Sequence, residues 1–163
     1  IDNNSFQRMF IDNCGMTGDQ LNVILEALEK MPCFRSIIYT QNSLNNASIS
    51  GLGSLLIRKP PFNLQELKLV DCNLKCGQIE MLMTLLGDNE ARLRVLALVN
   101  TSQTQRSFRS IVRYLEITQY LRELDLSWTV IRENQWLVLL EAVKDHSSLR
   151  VLNLSHNLLL EKQ

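Results

Sequence analysis

The sequence predicts an α/β solenoid, in which a short β-strand and an amphipathic α-helix alternate along the whole chain. The first observation is an apolar anchor pattern that recurs six times, at intervals of 28, 30, 29, 28 and 28 residues. The second is a pair of apolar residues, four positions apart, that recurs between successive anchors. The third is a composition of 45% hydrophobic and 21% charged residues, which is typical of a packed globular protein. One strand and one helix cannot bury their apolar faces alone, so stacking of the units has to supply the core.

Each predicted strand lies at an anchor that has apolar side chains at its first, fourth, sixth and eleventh positions. The six anchors begin at Phe6, Phe34, Leu64, Leu93, Leu121 and Leu149. The first two use Phe, Met, Ile and Tyr where the others mostly use Leu, and the fourth fails at its last position, Gln103. The first, fourth and sixth positions are expected to point into the core, since side chains alternate across a strand.

The ninth anchor position carries a small polar residue or a cysteine in every copy. These residues are Cys14, Asn42, Cys72, Thr101, Thr129 and Asn157. Their side chains can hydrogen-bond the backbone groups that are exposed where a strand turns away. We therefore expect them to satisfy backbone groups at the ends of the strands.

Five helices are predicted between the anchors, because apolar residues four positions apart face the same side of a helix. The repeated pairs are Ile24 and Leu28, Leu52 and Leu56, Leu82 and Leu86, Ile111 and Leu115, and Leu139 and Val143. We expect helices over residues 18–29, 47–58, 76–86, 105–116 and 133–145. Thr17 and Gln20 form a capping-box pattern at the first helix. Pro32 and Pro60–Pro61 follow the first two helices, where a helix should end.

Charge and termini narrow the class of protein. The 17 basic and 17 acidic residues cancel, so no overall attraction to nucleic acid or anionic lipid is expected. The sequence has no run of about eighteen apolar residues, so no membrane span is expected. The chain begins at Ile1 without a Met or a signal sequence, and neither end of the array has a polar capping unit. We therefore expect a single domain over residues 1–163 that is a segment of a longer chain and that self-associates when isolated.

The cysteines predict free thiols rather than metal ligands. There are four, at Cys14, Cys33, Cys72 and Cys76. Cys72 and Cys76 are the only close pair, and the two histidines, His146 and His156, lie far from them in sequence, which does not match zinc-site spacing. We expect no metal and no cofactor. Free thiols also favour a reducing, intracellular location, most simply the cytoplasm, with a cytoskeletal or other large assembly left open.

The repeat resembles a known family. The period near 28–29 residues, the LxxLxLxxN/C anchors and the full helix in every unit are similar to the leucine-rich repeats of the ribonuclease-inhibitor-like class. The segments LRELDLSW at 121–128 and LRVLNLSHN at 149–157 match that pattern most closely, and the resemblance covers essentially all 163 residues. It implies a curved, right-handed βα superhelix of about five and a half repeats. A parallel β-sheet would form its concave face and α-helices its convex face.

The same resemblance implies a binding function. The class includes ribonuclease inhibitors, the sensor ends of NOD-like receptors, actin-regulating scaffolds and the Ran GTPase-activating protein, and nearly all members bind another macromolecule. We therefore predict a non-catalytic protein–protein interaction module or scaffold within a larger protein or assembly. Two alternatives stay open. One is a regulator of an enzyme, either a GTPase activator or a ribonuclease-inhibitor-like protein, and the other is the ligand-sensing end of a NOD-like receptor.

Candidate binding residues lie between the buried anchor positions. The third, fifth, seventh and eighth positions are expected to be exposed on the concave face. Trp128 falls in this set, and an exposed Trp is a common interface anchor, although it could instead pack on its own loop beside Val130 and His156. The fourth strand is apolar on its outward side too, which a partner or a returning loop would cover. The predicted partner-binding residues are Phe10, Ile38, Lys68, Val70, Val95, Val99, Glu123, Asp125, Trp128 and His156.

A basic helix face is the second candidate surface. Arg106, Arg109 and Arg113 follow i, i+3, i+7 spacing and so share one side of the fourth helix. An acidic partner fits this surface, but an ordinary solvated helix face is the simpler interpretation. Phe108 alone does not provide an aromatic ladder for bases, so no nucleic-acid partner is expected.

No catalytic residues are predicted. Asp125, Ser127, Ser155 and His156 fall near one another on the concave face. Parallel strands hold such side chains pointing outward instead of converging on a pocket, and a catalytic triad needs convergence. The two glycines of the second predicted helix lack the lysine that a phosphate-binding loop requires. We therefore expect one or more protein partners and no small-molecule substrate.

Overall fold

Six strands and five helices alternate in the computed structural model of the chain, which describes residues 5–58 and 63–157. The strands are β1 (Arg8–Asp12), β2 (Ser36–Thr40), β3 (Glu66–Val70), β4 (Val95–Val99), β5 (Glu123–Asp125) and β6 (Val151–Asn153). The helices are α1 (Gly18–Leu28), α2 (Asn46–Leu56), α3 (Cys76–Asp88), α4 (Gln105–Ile117) and α5 (Glu133–Lys144). The strands form one parallel sheet in chain order. The predicted fold class, an α/β solenoid, is confirmed.

The predicted helix boundaries lie within two residues of the observed ones. The second helix begins one residue earlier and ends two residues earlier, while the third and fourth continue to Asp88 and Ile117. The first helix has the predicted capping box. Thr17 Oγ1 accepts a hydrogen bond from the Gln20 N–H at 3.3 Å, and Gln20 Oε1 accepts one from the Thr17 N–H at 2.9 Å. Pro60–Pro61 lie outside the described residues.

Equivalent anchor positions pair across the sheet. Leu67 lies opposite Ile37 on one side and Leu96 on the other, and the row continues through Leu124 to Leu152. A slip of one residue would turn each apolar set to the opposite face, so the anchors hold this register. The apolar side chains therefore stack into one continuous core between the sheet and the helices.

The core is formed by buried residues of both layers. The strands contribute Ile11, Ile37, Tyr39, Leu67, Leu69, Leu96, Leu98 and Leu124, and the helices contribute Leu21, Leu25, Ile49, Leu52, Ile79, Leu82, Phe108, Ile111 and Leu139. Gly53 allows α2 and α3 to approach closely, because a Cβ there would come within 2.9 Å of the Leu85 side chain.

The ninth anchor positions satisfy backbone groups, as the sequence predicts. The Asn42 side-chain oxygen accepts hydrogen bonds from the N–H groups of Cys14 (3.0 Å) and Met16 (2.9 Å), and its nitrogen donates to Thr40 O at 2.7 Å. Asn157 makes the corresponding contacts to the fifth unit. The side chains of Cys72, Thr101 and Thr129 donate to backbone carbonyls, and Thr101 Oγ1 also accepts a hydrogen bond from Gln103 Nε2 at 2.8 Å. The asparagines thus tie one loop to the loop before it.

The last helix leaves an apolar edge uncovered. Leu140 of α5 is 50% exposed, whereas the equivalent residues of the four preceding helices are buried. Those residues are Leu25, Gly53, Met83 and Val112. This position faces the next helix along the stack, since a Cβ at Gly51 of α2 would meet Leu25 of α1 at 3.0 Å. No helix follows α5 within the described residues, so Leu140 and Leu137 contact solvent there. Leu159, the last position of the sixth anchor, lies outside the described residues.

None of the helices in the described ranges is long and apolar enough to cross a bilayer.

Candidate protein-binding surface

The predicted partner-binding residues lie on the outward side of the sheet or at its carboxyl end, and none of the ten is buried. The most exposed apolar members are Phe10 (64%) and Trp128 (52%). The aliphatic members are half-buried, and they are Ile38, Val70, Val95 and Val99. The predicted set therefore forms one accessible surface, with its two largest aromatic side chains near opposite ends of the strand order.

The expectation that every third, fifth, seventh and eighth anchor position is exposed is wrong at three places. The buried residues are Ser36, Ala97 and Ser127. Their side chains are short, and longer neighbours in register cover them. Ala97, for example, lies between Lys68 and Asp125 on the adjacent strands. Exposure on this sheet therefore depends on side-chain length as well as on direction.

In the half of the surface over β1–β3, one carboxylate forms salt bridges with two cations. Arg8 Nη2 lies 2.8 Å from Glu66 Oε2, and Lys68 Nζ lies 3.0 Å from Glu66 Oε1. Burial would raise the pKa of Glu66, but hydrogen bonds from Ser36, Lys68 and Arg8 outweigh burial and lower it. Arg8 also lies over the Phe10 ring, 5.7 Å from its centroid. Lys68, one of the predicted binding residues, is thus committed to an ion pair within the chain.

The half over β4–β6 carries two carboxylates, Glu123 and Asp125, on the outward side of β5. Glu123 is exposed between Val95 and Val151 of the adjacent strands. Asp125 accepts a hydrogen bond from Ser127 Oγ at 2.7 Å and another from the neutral side-chain amide of Asn153, on β6, at 2.9 Å. In the part of the chain that the structure describes, neither carboxylate forms a salt bridge. This half therefore combines valine side chains with uncompensated negative charge.

Trp128 and His156 form an aromatic stack at the carboxyl ends of β5 and β6. Their ring centroids lie 4.1 Å apart and their planes differ by 12°. The predicted contact between Trp128 and His156 is therefore present. The stack leaves about half of the Trp128 surface exposed, so the ring is ordered without being covered.

The eighth anchor position adopts a left-handed backbone in all six units. The φ angle lies between +47° and +60° at Asn13, Gln41, Asp71, Asn100, Trp128 and His156. Asn and Asp adopt this conformation readily, whereas for most other residues it costs about 1–2 kcal/mol. Trp128 thus occupies a site where the backbone favours a small polar residue. Sequence reasoning missed this, although Asn13, Asp71 and Asn100 at one repeat position were the signal.

Val130 is a second exposed apolar residue in an unfavourable backbone conformation. Its φ is +54° and its side chain is 57% exposed, two residues from Trp128 in the same loop. The equivalent positions of the first and third units carry Gly15 (φ +63°) and Asn73 (φ +49°), which suit that conformation, whereas a β-branched residue does not. Val130 and the exposed Val151 extend the predicted surface, and the Gly and Asn at equivalent positions could have indicated the first of them.

The basic helix face is exposed along α4, as expected. Arg106 Nε lies 2.8 Å from Glu80 Oε2 of α3, an exposed pair that contributes less than about 1 kcal/mol. Arg109 and Arg113 line a groove of about 420 Å³ between α3 and α4, and no salt bridge engages them within the described ranges. The predicted set is therefore divided, with one arginine paired and two available.

The residues considered for catalysis do not form a triad. Ser127 donates its hydrogen bond to Asp125, and His156 stacks on Trp128 instead of accepting a proton from a serine. Among residues 5–58 and 63–157, no group of three His, Cys, Asp or Glu side chains could hold a metal ion. All four cysteines are unpaired, and burial raises the pKa of the Cys72 thiol to about 11.

Comparison with known proteins gives one relative in sequence. No protein-family model matches the chain. The chain is 25% identical over 170 residues to the mouse protein named NACHT, LRR and PYD domains-containing protein 5. The match covers 87% of this chain and 14% of the mouse protein, so the chain spans only a small part of that relative.

Comparison of structures gives a neighbour with the same architecture. The C-terminal domain of tropomodulin from Caenorhabditis elegans has a TM-score of 0.65 to this chain at 14% sequence identity. The match covers 88% of this chain and 85% of that domain. At this identity the likeness concerns the fold alone. Taken with the single parallel sheet and its alternating helices, the two similarities show that the chain has an α/β leucine-rich-repeat solenoid fold.

Proposed function

We propose that the chain is a non-catalytic protein–protein interaction module, acting within a larger protein or assembly, which binds its partner through the concave sheet face. Trp128 carries this proposal. Its ring is ordered by His156 but open to solvent, and its left-handed backbone would suit an asparagine better. Backbone strain of this kind is concentrated at functional sites, and Trp is enriched among the residues that dominate interface energies.

The surroundings of Trp128 support the same function. Val130 is exposed two residues from it, and the exposed Val151 of β6 lies opposite Glu123 of β5. Glu123 and Asp125 add negative charge along β5. An aromatic anchor with aliphatic neighbours and a polar rim is the usual arrangement of a protein interface. A partner that presents an apolar side chain beside a basic group would match this surface.

Site-specific crosslinking tests the proposal. A photoreactive amino acid is introduced at Ser155, beside the aromatic stack, or at Glu133, at the start of α5, and captured proteins are identified by mass spectrometry. We expect specific crosslinks from position 155 and none from position 133. Crosslinks from position 133 alone would place the partner on the helices and overturn the proposal.

The identified partner is then titrated against Trp128→Asn. The loss of an interface Trp costs about 2 kcal/mol, or about thirtyfold in Kd. The fold should survive, since Asn100 occupies the equivalent position and relief of backbone strain offsets the lost ring stack, each about 1 kcal/mol. Trp136→Phe is the matched control, because it changes the second tryptophan of the chain, which lies on α5. Unchanged affinity in Trp128→Asn would contradict the concave-face assignment.

A second candidate function is the ligand-sensing end of a NOD-like receptor. The observation that favours it is the mouse relative, whose name joins LRR with NACHT and PYD domains. The full coding sequence of the gene tests it, and the absence of a NACHT domain there would exclude it. Enzyme regulation stays a prediction, which measurement of GTP turnover and ribonuclease activity with and without the chain would test.

We also infer the repeat class and the cellular location. Helices of 11 to 13 residues in each of the five units whose helix the structure describes support the ribonuclease-inhibitor-like class. Four unpaired cysteines, one of them a buried hydrogen-bond donor, support an intracellular location. Fluorescence imaging of the tagged full-length protein tests the location, and secretion into the medium would contradict it.

A further inference from the structure

A row of arginines runs along the amino-terminal edge of the sheet. Arg94, Arg122 and Arg150 occupy the second anchor position of three consecutive units. The Arg122 N–H donates to Arg94 O at 2.8 Å, and the Arg150 N–H donates to Arg122 O at 2.7 Å. These residues therefore lie directly beside one another at the strand spacing of about 4.8 Å. All three are exposed and line one groove of about 360 Å³.

No carboxylate neutralises this arginine row within the described residues, because the salt bridges there involve other arginines and a lysine. Arg94 and Arg122 make no side-chain hydrogen bond in that part of the chain, and Arg150 donates only to the carbonyls of Ser147 and Leu149. Like charges on adjacent strands repel one another. The free protein thus holds three adjacent, solvent-exposed positive charges that no carboxylate of the described residues pairs with.

The groove offers further hydrogen-bonding groups. Gln119, Tyr120, Ser147 and Ser148 line it together with the arginines. Arg92 lies over the Tyr120 ring, 5.0 Å from its centroid, so one face of the single aromatic ring that lines the groove is already occupied. Guanidinium groups bind carboxylates through two parallel hydrogen bonds, which suits an acidic peptide.

A negatively charged groove bounds the arginine row on the helix side. Glu116, Glu141 and Asp145 line that groove, which shares Gln119 and Ser147 with the basic one. A long polyanion that crossed this boundary would meet like charge, which disfavours RNA. A short acidic segment that follows the strand edge would avoid it.

We propose that the arginine row, formed by Arg94, Arg122 and Arg150, is a second docking surface that binds a short acidic segment of a partner protein. The surface lies at the opposite end of the strands from Trp128, and it does not depend on the concave-face function. Side-chain carboxylates of the segment would lie against the arginines and relieve their mutual repulsion.

Fluorescence anisotropy with a labelled peptide of alternating Glu and Ala tests this surface on the whole chain. We expect binding that weakens as sodium chloride is raised, and no binding of the peptide in which Gln replaces Glu. The triple variant R94Q/R122Q/R150Q should bind at least about tenfold more weakly. The matched control, R106Q/R109Q/R113Q, removes the same charge from α4 and should bind as the unchanged protein does.

Several results would overturn the proposal. One is no measurable binding of the acidic peptide, and another is an equal loss of affinity in the α4 control. The third is tighter binding of an oligouridylate of the same charge that is lost in R94Q/R122Q/R150Q, which would assign the arginine row to nucleic acid. Circular dichroism checks that both triple variants fold. If R94Q/R122Q/R150Q does not fold, the single variant Arg122→Gln takes its place in the binding measurement. A readout without the peptide is the melting temperature. It should rise more with phosphate than with chloride at equal ionic strength, and this difference should shrink in Arg122→Gln.

Discussion

Replacing Asn42 by Ala should show how much one inter-loop hydrogen-bond set contributes to the solenoid. Asn42 is 6% exposed and accepts from the N–H groups of Cys14 and Met16 at 3.0 and 2.9 Å. It also donates to Thr40 O at 2.7 Å and, at 3.4 Å, to Ile11 O. The side chain therefore joins the first unit to the second.

The magnitude follows from these contacts. Three well-formed hydrogen bonds at about 1 kcal/mol each give a loss of about 3 kcal/mol in the free energy of unfolding for Asn42→Ala. For a chain of this length, that lowers the melting temperature by about 6–12 °C. Asn42→Cys imitates Cys72, whose thiol donates to two carbonyls but is a weak hydrogen-bond acceptor. We therefore expect Asn42→Cys to lose about 2 kcal/mol, less than the alanine variant.

Urea unfolding followed by circular dichroism measures the global loss, and hydrogen exchange locates it. The amides of Cys14 and Met16 should exchange at least about tenfold faster in Asn42→Ala, because a loss of 1.4 kcal/mol is a factor of ten. Asn46→Ala, an exposed change at the start of α2, is the control and should stay within about 0.5 kcal/mol of the unchanged protein. An alanine variant as stable as that control, or a cysteine variant no better than alanine, would refute the account of the ninth position.

Three further predictions concern titration, thiol reactivity and the exposed edge of α5. Burial lowers the pKa of His146 below its ordinary 6.5, so folding stability should be complete above that pH and fall as pH drops below it, while His146→Asn should remove this slope in urea unfolding. Iodoacetamide should modify exposed Cys14 in the native protein and buried Cys72 only after unfolding, as mass spectrometry would show, and equal native rates would contradict this. Leu140→Glu, at the exposed edge of α5, should raise the concentration at which dimers appear in sedimentation velocity at least about tenfold. The control Thr84→Glu, at an exposed position of α3, should leave that concentration unchanged.

The repeat could be read from the sequence because each unit poses the same packing problem. The first, fourth and sixth anchor positions fix which side of each strand faces the core, although Phe6, in the first unit of the stack, stays 43% exposed, against the prediction. Helix ends followed from equally local signals, such as the Thr17–Gln20 capping box, which the structure reproduces. The positions of the strands and the limits of the helices are therefore the most predictable features of this chain.

The features that the sequence concealed depend on neighbouring units. Ala97 was expected to be exposed, but its burial depends on longer side chains to either side, which no single repeat specifies. Arg106 was placed with two other arginines, although its charge is met by Glu80 of the preceding helix. The left-handed turn at Trp128 was hidden because Trp is not a residue type that marks that conformation.

The fifth unit combines the three chemically distinct parts of the proposed surfaces in one line. Arg122 stands at the amino end of β5, Glu123 and Asp125 lie along it, and Trp128 follows its carboxyl end. At about 3.3 Å per residue for a fully extended chain, Arg122 and Trp128 are at most about 20 Å apart. A single segment crossing that distance would need acidic, then basic, then apolar groups in this order, a combination few partners offer. Two separate partners would each need only one of these properties, so the charge order along β5 makes a shared partner the more selective arrangement.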